Sequence, residues 1–64
     1  MITIKERREQ LGMTQAELGE KVDVSQAAVC RWETGDTVPL RKLHRKIAQA
    51  LHMPVTELDF GCGR

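Results

Sequence analysis

The stretch Gln15 to Glu33, QAELGEKVDVSQAAVCRWE, holds two helical signatures separated by only Asp23, Val24 and Ser25. Thr14 followed by Glu17 is a capping box, in which each side chain satisfies the other residue's free backbone N–H. Met13 and Leu18 stand at the spacing of a hydrophobic staple, so a helix starts at Gln15. Ser25 is a favourable N-cap for the next helix. The link between them is too tight for an antiparallel pair, and the second helix must cross the first steeply. That geometry has sequence requirements. The crossing point admits only a small side chain, and Gly19 stands there. The turn needs a residue that tolerates positive φ, here Asp23, followed by an apolar plug, here Val24. Val29 and Trp32 must point inward to hold the crossing helix. Leucine at position 19 would overpack the contact, whereas alanine, the better helix former, is expected to be tolerated there.

The same signals divide the rest of the chain. Thr3 with Glu6 forms another capping box and Gly12 supplies a left-handed stop, giving a first helix over about residues 4 to 11. The second helix spans about 15 to 22, with a buried stripe of Ala16, Leu18, Gly19 and Val22, and the third about 26 to 34, closed by Gly35. Gln26, Ala27, Cys30 and Arg31 lie on the side of the third helix opposite Val29 and Trp32. After Asp36-Thr37-Val38, a fourth helix is predicted over about 40 to 51, with Leu40, Leu43, Ile47 and Leu51 facing the core, and a short fifth over about 54 to 58 with Phe60 behind it. No stretch alternates long enough to suggest a strand. The expectation is an all-α, compact bundle of about five short helices forming one domain over the 64 residues.

Composition removes several function classes. A chain of 64 residues has room for one small core and no cleft walled by two domains. Trp32 and Phe60 are the only aromatic residues, so the chain has no platform for stacking unpaired bases, which favours duplex over single strands. The net charge of +1 says little, but its distribution says more: Arg41, Lys42, Arg45 and Lys46 stand together, while Glu17, Glu20 and Asp23 cluster earlier. Cys30, His44, His52 and Cys62 lack the short paired intervals of a zinc site, so no metal is expected. No phosphate-binding glycine loop or nucleophile with a placed base is present, so neither catalysis nor a cofactor or small-molecule substrate is expected. Both histidines are read as structural or solvated. With no charged leader, no apolar run of about 18 residues and only Cys30 and Cys62 as thiols, a reducing cytoplasm is expected, with Cys30 reduced and semi-buried.

The segment Gln15 to Glu33 resembles the helix-turn-helix of the phage-repressor family. Leu11-Gly12-Met13-Thr14-Gln15 is similar to that family's approach to its second helix. Trp32-Glu33-Thr34-Gly35 with Pro39 resembles its exit from the third, and Ile47-Ala48-Gln49-Ala50-Leu51 its fourth. Asp23 and His52 stand where the family commonly has glycine, which puts strain on both turns. The resemblance implies a repressor or Cro-like regulator of transcription whose third helix enters the major groove of double-stranded DNA. It assigns base contacts to Gln26, Ala27 and Arg31, which suits a bidentate Gln on adenine, an Ala methyl against thymine and a bidentate Arg on guanine. It assigns phosphate contacts to Gln15, Ser25, Thr34, Thr37 and Arg41, and an ion pair beneath the surface to Arg8 and Glu33. It also implies a homodimer on a roughly palindromic operator; Leu58, Phe60 and residues 61 to 64 are the candidate contact. The alternative is a protein-interaction module of the same fold, an antitoxin or accessory domain, with little affinity for DNA.

Overall fold

The computed structural model describes residues 1–61. The helices are α1 (Ile4–Gln10), α2 (Gln15–Val22), α3 (Gln26–Thr34) and α4 (His44–Ala50). Single 3₁₀ turns cover Arg41–Leu43 and Val55–Glu57, and two strands, β1 (Ile2–Thr3) and β2 (Leu58–Asp59), pair in parallel.

The first three helices start where their caps dictate. Glu6 N–H donates to Thr3 Oγ1 at 3.1 Å while Thr3 N–H donates to Glu6 Oε1 at 3.3 Å. Glu17 N–H donates to Thr14 Oγ1 at 3.1 Å, with Thr14 N–H on Glu17 Oε1 at 3.0 Å. Hydrogen bonds from the Thr14 backbone N–H and side chain to the Glu17 carboxyl hold it below its ordinary range. Ala28 N–H donates to Ser25 Oγ at 3.2 Å. Each such cap is worth about 1 kcal/mol and fixes a boundary without reference to the rest of the fold. Left-handed residues end the helices: Asp23 (φ 64°) after α2, Gly35 (φ 85°) after α3 and His52 (φ 56°) just beyond α4. The two non-glycine residues thus stand in the strained region that the sequence indicates.

Amphipathic faces meet in one core of Ile4, Leu18, Val22, Val29, Ile47, Ala48, Leu51 and Leu58. Leu11, Met13, Val24, Trp32, Leu43, Met53 and Phe60 pack around it. α2 and α3 make the most extensive contact, and α4 lies across α2.

Several expectations are corrected. The fourth helix does not run from 40 to 51: Leu40 is extended (φ −60°, ψ 144°), the Arg41–Leu43 turn is 3₁₀, and regular helix starts at His44. The break turns Leu40 out of the helical stripe, leaving it 61% exposed while Pro39 is buried in its stead. Ala16, read as buried, is exposed, because the α2 stripe that meets the core is Leu18, Gly19 and Val22. The fifth helix over 54 to 58 is one 3₁₀ turn leading into β2, with Ile2 in register with Leu58 and Thr3 with Asp59. A pair of two-residue strands is too short to show alternation, and it joins segments far apart in the chain. Leu58 is buried by this pairing at 1% exposure, so it is no part of an accessible dimer surface. Phe60 is half-buried, its ring stacked on that of His44 with centroids 3.9 Å apart. Residues 62 to 64, including Cys62, lie outside the described residues.

Candidate nucleic-acid interface

The turn between α2 and α3 is built on close backbone approach. Val24 N–H donates to the Gly19 carbonyl at 2.8 Å, and a Cβ placed on Gly19 would lie 2.8 Å from the Val24 carbonyl oxygen. The obstacle is main chain, which cannot swing away as a side-chain tip does. The expected tolerance of alanine at position 19 is therefore wrong: the turn itself, not only a neighbouring side chain, closes over this glycine.

Held this way, α3 buries Val29, packs Trp32 against the core, and turns Gln26, Ala27, Cys30 and Arg31 to solvent. Cys30 is thus an exposed thiol on the outer face of α3, not a semi-buried one. The C-terminal end of α3 is locked through the Arg31 carbonyl oxygen. It accepts from the N–H groups of Gly35, of Asp36 at 3.0 Å and of Thr37 at 3.3 Å, and from the Thr34 hydroxyl at 3.2 Å. The Arg31 guanidinium is left at the exposed edge of a rigid helix end.

Beneath α3 lies a polar cluster. Arg8 Nε donates to Glu33 Oε2 at 2.6 Å and Arg8 Nη2 to Glu33 Oε1 at 3.0 Å, a bidentate pair. Arg8 Nη1 also donates to the Met13 carbonyl at 2.7 Å, and Gln15 Nε2 to Glu33 Oε1 at 3.0 Å. The side chains of the pair are only 11% and 3% exposed. Burial alone would push the Glu33 carboxyl up, but the hydrogen bonds from Arg8 and Gln15 and the charges of Arg8 and Lys5 outweigh it and hold the carboxyl below its ordinary value. The hydrogen bond to Glu33 raises Arg8 in turn, against the opposing effect of burial. α1, the start of α2 and the end of α3 are thereby joined in one network.

A helix-turn-helix family profile matches residues 4–58. The chain belongs to the helix-turn-helix family. Among solved structures it is similar to the P22 c2 repressor protein, described in complex with synthetic operator 9T in the presence of Tl+. The TM-score is 0.80 and the identity 31%, over 95% of this chain and 89% of that one. No curated protein matches the chain.

Within this helix-turn-helix the remaining predicted contact residues have distinct settings. Ser25 is exposed, and its hydroxyl accepts from Ala28 N–H, which leaves the hydroxyl proton for another partner. Thr34 is exposed but its hydroxyl donates to the Arg31 carbonyl, so meeting a phosphate requires it to rotate. Thr37 and Arg41 are exposed on the segment that leaves α3. Gln15 is half-buried because Glu33 holds it. Among the described residues no group of three or more His, Cys, Asp or Glu side chains could hold a metal ion, and no helix is long and apolar enough to cross a membrane. Sequence reasoning missed two roles. The Gln15 bond to Glu33 had no local signal, and neither had Arg7, whose Nε donates to the Leu51 carbonyl at 2.9 Å and ties α1 to the end of α4, 44 residues away in the chain.

Proposed function

We propose that this protein is a sequence-specific regulator of transcription, a repressor or Cro-like protein that reads double-stranded DNA by laying α3 in the major groove. The observation that carries the reading is the exposed outer face of α3, with Gln26, Ala27 and Arg31 projecting from a helix whose start, crossing point and end are each locked. The similarity to a repressor described with its operator supports it. In this reading Gln26 bonds an adenine, Ala27 meets a thymine methyl, Arg31 grips a guanine, and Gln15, Ser25, Thr34, Thr37 and Arg41 hold phosphates on either side. One such module covers little DNA, so two copies on a roughly palindromic operator give the site length that specificity needs. The protein works in the cytoplasm by binding alone, without catalysis, cofactor or membrane.

Titration of fluorescent random duplex against the protein at low and moderate salt tests the class of partner. Binding should weaken steeply as salt rises, through release of counterions from the phosphates. No binding at low salt would reject the reading. With an operator selected from a random library, Arg31→Ala should cost about 1–3 kcal/mol on the best site and much less on random duplex. Equal losses on both would reassign Arg31 to the backbone.

A further inference from the structure

Glu33 is an unusual residue to keep beneath a surface that meets a polyanion, and its bonds show what it does there. Arg8 takes up its charge through two hydrogen bonds, yet Glu33 Oε1 also accepts a third, from Gln15 Nε2 at 3.0 Å. An ionised carboxylate only accepts hydrogen bonds, so it selects one of the two orientations of the Gln15 amide: NH₂ toward Glu33, carbonyl away. With one N–H so committed, the planar amide has its second N–H and its carbonyl oxygen at fixed directions.

We propose that Glu33 is a positioning residue for DNA binding, which acts through Gln15 by locking the side-chain amide so that its second N–H is aimed outward at a phosphate oxygen. This rests on the DNA-binding reading above. The third helix thereby sets a phosphate contact that the second helix makes, so base-reading face and backbone anchor move as one body. Order in the free protein also means that Gln15 loses little rotamer freedom when DNA arrives. Arg8 is needed because an un-neutralised carboxylate in this place would repel the phosphate that Gln15 is meant to hold.

The lock can be observed without DNA. In the NMR spectrum of the wild-type protein, one Gln15 side-chain NH₂ proton should be shifted and slow to exchange compared with those of Gln26 and Gln49, which are exposed. Gln15 protons that behave like those two would overturn the proposal. Its functional half is a cycle read in operator affinity at fixed salt. Glu33→Gln frees the amide to flip and should weaken binding roughly tenfold, the scale of one hydrogen bond to a charged group. In the Gln15→Met background the same change should weaken it less than about twofold, since no amide remains to be aimed. Equal losses in both backgrounds would show that Glu33 serves only as scaffold. The spectrum of the wild-type protein decides the matter should Glu33→Gln fail to fold. A wild-type protein that binds no duplex is a separate failure: it overturns the DNA-binding reading, and this proposal with it.

Discussion

From Thr3 to Gly35 each helix is started by a side-chain cap beside it in sequence, whereas from Leu40 to Phe60 the helical turns lack such caps and are held by contacts from distant parts of the chain. Thr3, Thr14 and Ser25 cap α1, α2 and α3 through bonds spanning three residues. No side chain caps the 3₁₀ turn at Arg41, α4 or the turn at Val55. Instead Arg7 reaches from α1 to the end of α4, and β2 finds its partner in β1. Helices this short are marginal on their own, but local caps settle where each begins whatever it docks on. The later segment takes its shape from the surface it docks on, and a sequence pattern describes it only loosely. The half with local codes is also the half that presents α3, where a small misplacement would spoil the proposed base contacts.

The sharpest way to break this contrast is at a place where the first half does depend on a distant contact, the Arg8–Glu33 pair. Removing either partner of a nearly buried pair strands the other, so Arg8→Met and Glu33→Gln should each destabilise by about 3 kcal/mol, and the double change by less than the sum. The same pair has a signature in acid. Glu33 is depressed in the folded state, so its contribution is fully present above the ordinary carboxyl value of about 4.3 and is lost as pH falls through the lower folded value. Urea midpoints of wild type should therefore drop below about pH 4, and Glu33→Gln should remove part of that drop. Additive single changes, or an acid limb untouched by Glu33→Gln, would show that the helices stand without the pair.

Gly19 gives the next effect in size. Alanine should cost about 1–3 kcal/mol despite its higher helix propensity, because the Val24 carbonyl must retreat, and leucine should cost more. A Gly19→Ala melting temperature at or above wild type would mean that the turn relaxes freely. This residue also marks the limit of what the sequence conveys. Small size at a crossing is legible from spacing, as are the caps, the left-handed Asp23 and the outward set Gln26, Ala27 and Arg31. That the obstacle is a backbone oxygen is not legible, because it depends on a distance of tenths of an ångström set by the folded turn. The Gln15–Glu33 bond was hidden for a similar reason. Each residue alone reads as an ordinary polar side chain, and only the docking of α2 on α3 brings them together.

For the second half, Arg7→Met tests whether a distant side chain is what ends α4. Loss of the bonds to the Leu51 and His52 carbonyls should cost about 1–2 kcal/mol, a hydrogen bond from a charged donor to a partly buried acceptor being at stake. The change should also speed amide exchange at His52 and Met53, which close the turn through bonds to Gln49 and Ala48 at 3.2 and 3.0 Å. Unchanged exchange there would show that the left-handed His52 turn closes by its own backbone bonds.

The smallest effect falls where the sequence pattern is most misleading. Leu40 begins an apolar series at helical spacing with Leu43, Ile47 and Leu51, and by periodicity alone all four belong to the core. In the fold Leu51 and Ile47 are fully buried and Leu43 partly so, but Leu40 stands on extended backbone ahead of the first helical turn and faces solvent. Leu40→Gln should thus change stability by no more than about 0.5 kcal/mol, as an exposed substitution does, while Ile47→Ala should cost about 2–5 kcal/mol. Thermal melts of the two variants decide between a helix that starts at residue 40 and one that starts later. A loss at Leu40 comparable to that at Ile47 would place it in the core and extend the regular helix back to the proline, and the contrast between a locally coded half and a docked half would lose its clearest residue.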